Sequence, residues 1–162
     1  MYLYITKTTY KSFFLLSFLL FISNIVFAEG FNTPYELSSA GEGKAGYYLV
    51  EVSAYVTKKK DINIELTKQC AIHGVLFKGY SGNNGNASKP PIIEDKNIEK
   101  EKSEFFKTLI FNKYGYYTTV ANDFKKVIKV GKRYKITTIV QVNAAQLRKD
   151  LEKENIIRSL GF

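Results

Sequence analysis

Arg133-Tyr-Lys-Ile-Thr-Thr-Ile-Val-Gln-Val-Asn143-Ala-Ala-Gln-Leu-Arg-Lys-Asp-Leu-Glu-Lys-Glu-Asn155 is the stretch whose reading decides the fold. From Arg133 to Val142, Tyr134, Ile136, Thr138, Val140 and Val142 fall on one face. Lys135, Thr137 and Gln141 fall on the other, interrupted by Ile139. That period of two predicts a long half-buried strand. Asn143 is placed to cap a helix, with Gln146 three residues on as the partner in a capping-box exchange. Leu147 and Leu151 supply one apolar stripe, and Arg148, Lys149, Asp150 and Glu152 the wet face.

Working upstream, Gly131-Lys132 separates two β-prone runs and predicts a two-residue hairpin turn with glycine first. A strand over Lys126 to Val130 then precedes the long one. Tyr114 to Val120 reads as a further strand. Ile98 to Asn112 reads as a helix that buries Phe105, Phe106, Leu109 and Ile110. Ser81 to Lys96 (SGNNGNASKPPIIEDK) is rich in Gly, Asn, Ser and Pro and is expected to be a long disordered loop.

Tyr47 to Thr57 alternates strictly and predicts a first strand, ended by Lys58, Lys59 and Lys60. Asp61 is the expected cap of a helix from Ile62 to His73, with Ile62, Leu66, Cys70 and His73 on one stripe. Gly74 is expected to break it, leaving Val75 to Tyr80 as a short buried strand. The resulting order, β-α-β-α-β-β-β-α, predicts an α+β domain over residues 46–162: a mostly antiparallel sheet of about five strands with helices on one face.

The first 28 residues read as a signal peptide. Lys7 and Lys11 make a basic start, Ser12 to Ile22 an apolar run too short to span a bilayer, and Val26-Phe27-Ala28 a cleavage box. Glu29 to Ala45 then reads as a flexible leader. Cleavage removes two lysines and no acid, which takes the formal charge from +9 to +7. The expected location is secreted, periplasmic or outer-membrane-associated, with no transmembrane span after cleavage.

A basic balance favours anionic partners. Lys126, Lys129, Lys132, Arg133 and Lys135 crowd the predicted hairpin, with Tyr114, Tyr116, Tyr117 and Tyr134 nearby in sequence. Such a set suits stacking on a nucleic acid, but export argues against one. Anionic envelope polymers or lipid head groups fit better, and plain edge protection of a strand is the bland alternative. Cys70 and His73, spaced i, i+3, are the one pairing that resembles chemistry. A zinc site needs further ligands and the chain has no other His or Cys. Nucleophilic catalysis needs an orienting group and oxyanion donors that the sequence does not announce. Core packing of both residues is the expectation, with no metal, no cofactor and no enzymatic activity.

At Val140-Gln-Val-Asn-Ala-Ala-Gln-Leu147-Arg148-Lys-Asp-Leu151 the chain resembles the end of the N-terminal domain of flagellar assembly protein T and related small outer-membrane lipoproteins. It is also similar to a group of uncharacterised secreted bacterial proteins, through Ala71-Ile-His73-Gly74-Val-Leu-Phe77 and Ile157-Arg-Ser-Leu-Gly161-Phe162. These resemblances imply an envelope-associated, non-enzymatic α+β module that works with envelope proteins. They bring no site residues, and the lipid-attachment cysteine of the lipoproteins is missing here.

Overall fold

In the computed structural model, residues 31–95, 97–121 and 126–158 are described. The expected signal peptide lies outside them. The elements are β1 (Tyr35–Ser39), β2 (Tyr47–Val56), α1 (Ile64–Phe77), α2 (Ile98–Glu101), α3 (Ser103–Lys107), α4 (Tyr114–Tyr117), β3 (Thr118–Val120), β4 (Lys126–Val130), β5 (Arg133–Asn143) and α5 (Ala144–Lys153). A five-stranded antiparallel sheet with helices makes the fold α+β, as the sequence predicts.

β5 is the axis. β2 pairs with it from Tyr134 to Asn143, and β1 lies outside β2. The other side of β5 is shared: β3 takes its C-terminal half and β4 its N-terminal half. Val50, Val52 and Ala54 of β2 and Ile136, Val140 and Val142 of β5 are buried on one face, beneath α1. α5 closes the same core with Leu147 and Leu151. Asn143 caps α5 as expected, its side chain accepting from the Gln146 N–H at 3.0 Å. Gln146 does not reach back; its amide donates to Asp150 at 3.0 Å instead.

Six further expectations are corrected. The stretch read as a leader contains β1, held edge-on to β2, with Tyr35 and Ser39 buried. α1 starts after Asn63, whose side chain accepts from the Leu66 N–H at 2.7 Å, not after Asp61. It then runs through Gly74 to Phe77, so Val75 to Phe77 form a helix and not a strand. Gly74 is there for contact: a Cβ would sit 2.7 Å from both Leu37 methyls and 3.1 Å from the Tyr35 ring. The bare backbone lets β1 lie close to the helix. The element order is therefore β-β-α-α-α-α-β-β-β-α.

The fourth correction is the expected helix from 98 to 112, which breaks at Lys102 and ends in π-type bonding over Thr108–Asn112. Phe106, Leu109 and Ile110 are nevertheless buried as predicted. Tyr114–Tyr117, read as strand, is one helical turn leading into β3. The sixth is the long loop, which is tied to the core. Tyr80 and Lys89 exchange backbone hydrogen bonds at 2.9 and 3.0 Å, and Ile92 and Ile93 are buried, donating to the Val75 and Leu76 carbonyls. Apolar side chains within a Gly/Pro-rich segment anchor it to the core.

Candidate functional site

The β4–β5 hairpin turns at Gly131-Lys132, with Gly131 at φ 60°. Of the two central residues only Gly131 takes a positive φ, which fits the type II′ turn and the right-handed twist of the flanking strands. Register then divides the basic set. Lys126 opposes Thr137 and Val130 opposes Arg133, so Lys126, Arg133 and Lys135 point to the face away from α1. Lys129 opposes Tyr134 and points to the other face, while Lys132 stands at the turn. Lys135 also lies across the sheet from Glu36 at 3.9 Å and over the Tyr55 ring at 5.7 Å.

Every β4 residue is exposed. Val127, Ile128 and Val130 are 43%, 36% and 48% accessible, which interleaves three apolar side chains with the cations. Sequence reading found the lysines but not this apolar partner set, because KVIKV looks like any buried strand. The structure does not bring Tyr114, Tyr116 or Tyr117 to the hairpin. They precede β3, which pairs with β5 at Val142, the opposite end from Arg133. Tyr117 is buried and donates to Asp150 at 2.7 Å.

The other constellation centres on His73. Its Nε2 lies 3.0 Å from a Glu99 carboxylate oxygen and its Nδ1 hydrogen-bonds the Tyr35 hydroxyl. A carboxylate only accepts, so Nε2 carries the proton, and Tyr35 donates to Nδ1. Phe31 stacks on the imidazole at 4.6 Å, and Phe77 packs beside it at 5.2 Å. Burial lowers the His73 pKa, with Glu99 opposing and Lys78 assisting that shift. Burial, with Cys70 and Glu99 nearby, pushes the Tyr35 hydroxyl well above its usual range.

This arrangement does not activate a thiol. Cys70 is fully buried and burial pushes its thiol up to about 12. Both His73 nitrogens are already engaged, so no ring nitrogen is left to take a proton from sulfur. At 6% exposure the imidazole is walled off from solvent. The network reads as a polar strut tying β1, α1 and α2 together. Among the described residues, no three His, Cys, Asp or Glu side chains gather as a metal would need. No described helix is long and apolar enough to cross a membrane. Compared with known proteins, the chain matches no family model, no curated protein and no solved structure.

Proposed function

We propose that this chain is an exported, non-enzymatic envelope-associated module that attaches to an anionic lipid surface through the β4–β5 hairpin. The observation that carries the reading is the exposure of Val127, Ile128 and Val130 among Lys126, Lys129, Lys132 and Arg133. Cations alone suit any polyanion; apolar side chains beside them suit the boundary between head groups and acyl chains. Near an anionic bilayer each Lys or Arg contributes about 1 kcal/mol. Those four cations therefore give about 4 kcal/mol, a millimolar affinity, and the valines and isoleucine must supply the rest. Export rests on Lys7, Lys11, the apolar run Ser12 to Ile22 and the Val26-Phe27-Ala28 box.

The chain has no tryptophan, so one placed at the hairpin is a clean reporter. In Val130→Trp the emission should move to the blue on adding phosphatidylglycerol vesicles and stay put with phosphatidylcholine vesicles. An emission unmoved by either contradicts the reading.

A second reading, a structural or assembly module that receives a partner strand, is favoured by one feature. β4 pairs only with β5 among the described residues, so its other edge is open for strand addition.

A further inference from the structure

The end of β5 away from the hairpin carries a cleft that the lipid reading does not use. It has a volume of about 480 Å³, within the usual size of a small-molecule site. Two loops form it: the β1–β2 connection, Ala40-Gly-Glu-Gly-Lys-Ala-Gly46, and the segment from Tyr80 to Lys89. The first has G-x-G-x-x-G spacing, yet it joins two antiparallel strands and opens no helix, so it offers no dinucleotide its usual helix N-terminus.

Both loops are fixed at their bases. The Tyr80–Lys89 backbone pair closes one, and Ser81 ties it to β1, its carbonyl accepting from the Ser39 N–H at 2.8 Å. In the other, Tyr47 N–H bonds the Lys44 carbonyl at 2.8 Å, and the Gly46 carbonyl accepts from Ala145 of α5 at 2.9 Å. A cleft held this way needs little ordering on binding.

Its chemistry is mixed but close to neutral. Tyr48 and Tyr80 line it edge to face, their ring centroids 5.7 Å apart, and Tyr47 adds a third phenol. Lys89 stands 5.5 Å over the Tyr48 ring, and Glu42 offsets its charge. Gly41, Gly43 and Gly85 leave stretches of backbone without side chains, and Asn86 brings an amide, held by the Asn83 carbonyl at 2.8 Å. Burial pushes the Tyr80 hydroxyl up to about 12, so it stays protonated and able to donate.

Ring faces beside short polar groups, with one carboxylate balanced by one ammonium, match a ligand that presents C–H faces and hydroxyls together. We infer that this cleft binds a hexose-type saccharide, with Tyr48 against the sugar ring, buried Tyr80 bracing it, and Asn86, Glu42 and the glycine backbone on its hydroxyls. It lies roughly 30 Å from the hairpin turn along β5, so the two sites are independent. Two sources share this chemistry: sugars with hydroxyls only and sugars bearing acetamido groups.

Amide chemical shifts of the 15N-labelled protein titrated with maltotetraose and with chitotetraose test the inference. Either sugar should move the amides of residues 39–49 and 80–89, and the preferred one assigns the source. Tyr48→Ala should weaken binding by about tenfold, and so should the surface change Asn86→Ala, which leaves the core intact. If neither sugar moves those amides at millimolar concentration, or Asn86→Ala binds as the unaltered chain does, the inference is wrong.

Discussion

His73 Nε2 donates to Glu99 across 3.0 Å, and this bond joins two helices through residues 26 positions apart in the chain. With Tyr35 on the other nitrogen, one imidazole links β1, α1 and α2. His73 is the chain's only histidine, so its titration can be followed without overlap. Its pKa is lowered from the ordinary 6.5, chiefly by burial. The unfolded chain therefore binds a proton before the native one as pH falls through that value. Its contribution to stability is complete above 6.5 and is lost below it. Denaturation between about pH 7.5 and 5.5 should show the unaltered protein losing more stability than His73→Phe. Equal losses in the two would contradict this.

Gly74 and Leu37 should be energetically coupled. Ala at a helix interior is worth about 1 kcal/mol over Gly, but here the added methyl meets both Leu37 methyls at 2.7 Å. The Tyr35 ring, 3.1 Å from the same methyl, is fixed by His73 and yields little. Gly74→Ala should therefore destabilise by about 1 kcal/mol. In a Leu37→Ala background the same change should turn stabilising. A double-mutant cycle by urea denaturation measures it, and the same sign in both backgrounds refutes the close-approach account.

Thr138 points into the core from the middle of β5, and its hydroxyl has no hydrogen-bond partner among the described residues. An unsatisfied buried hydroxyl costs about 1–3 kcal/mol. Thr138→Val keeps the shape and the β-branch and should raise stability by about 1 kcal/mol, read as a higher denaturation midpoint at unchanged slope. A lower midpoint would show that the hydroxyl is satisfied in solution.

Where the sequence was legible, the reason is periodicity. β2 and β5 alternate cleanly, and their burial follows residue by residue from Val50 to Val56 and from Ile136 to Val142, except at Ser53. The Gly131 turn and the Asn143 cap were equally readable, since each rests on local backbone chemistry. Gly74 misleads because a glycine that makes room looks like one that ends a helix. β1 is silent in the sequence because Tyr-Glu-Leu-Ser-Ser is too short and polar to signal a strand without β2 beside it. The candidate site is half legible: the lysines show in the sequence, while their pairing with exposed Val127, Ile128 and Val130 depends on β4 having no second neighbour among the described residues. The His73 network joins residues 38 and 26 positions apart, which no local pattern encodes.

The two readings of the hairpin part at Val127. A two-residue turn makes Val130–Arg133 a hydrogen-bonded pair, so Ile128 and Lys126 also bond β5 while the Val127 and Lys129 amides face the open edge. Val127→Pro removes an outward N–H that β5 does not use. It should leave the fold intact and, because proline keeps an apolar side chain at that position, vesicle binding within about fivefold of the original. Circular dichroism and co-sedimentation check both, and a loss of vesicle binding with the fold intact would show that the open backbone edge, not the side chains, makes the attachment.

Lipid attachment is tested most directly by co-sedimentation with phosphatidylglycerol vesicles at low and at physiological salt, comparing the unaltered chain with Lys126→Glu/Lys129→Glu/Lys132→Glu. All three lysines are exposed and outside the core. The account predicts that the unaltered protein pellets with the vesicles, less so as salt rises, and that the triple variant remains in the supernatant with its fold unchanged. Equal pelleting of the two proteins, or none by either, would contradict it.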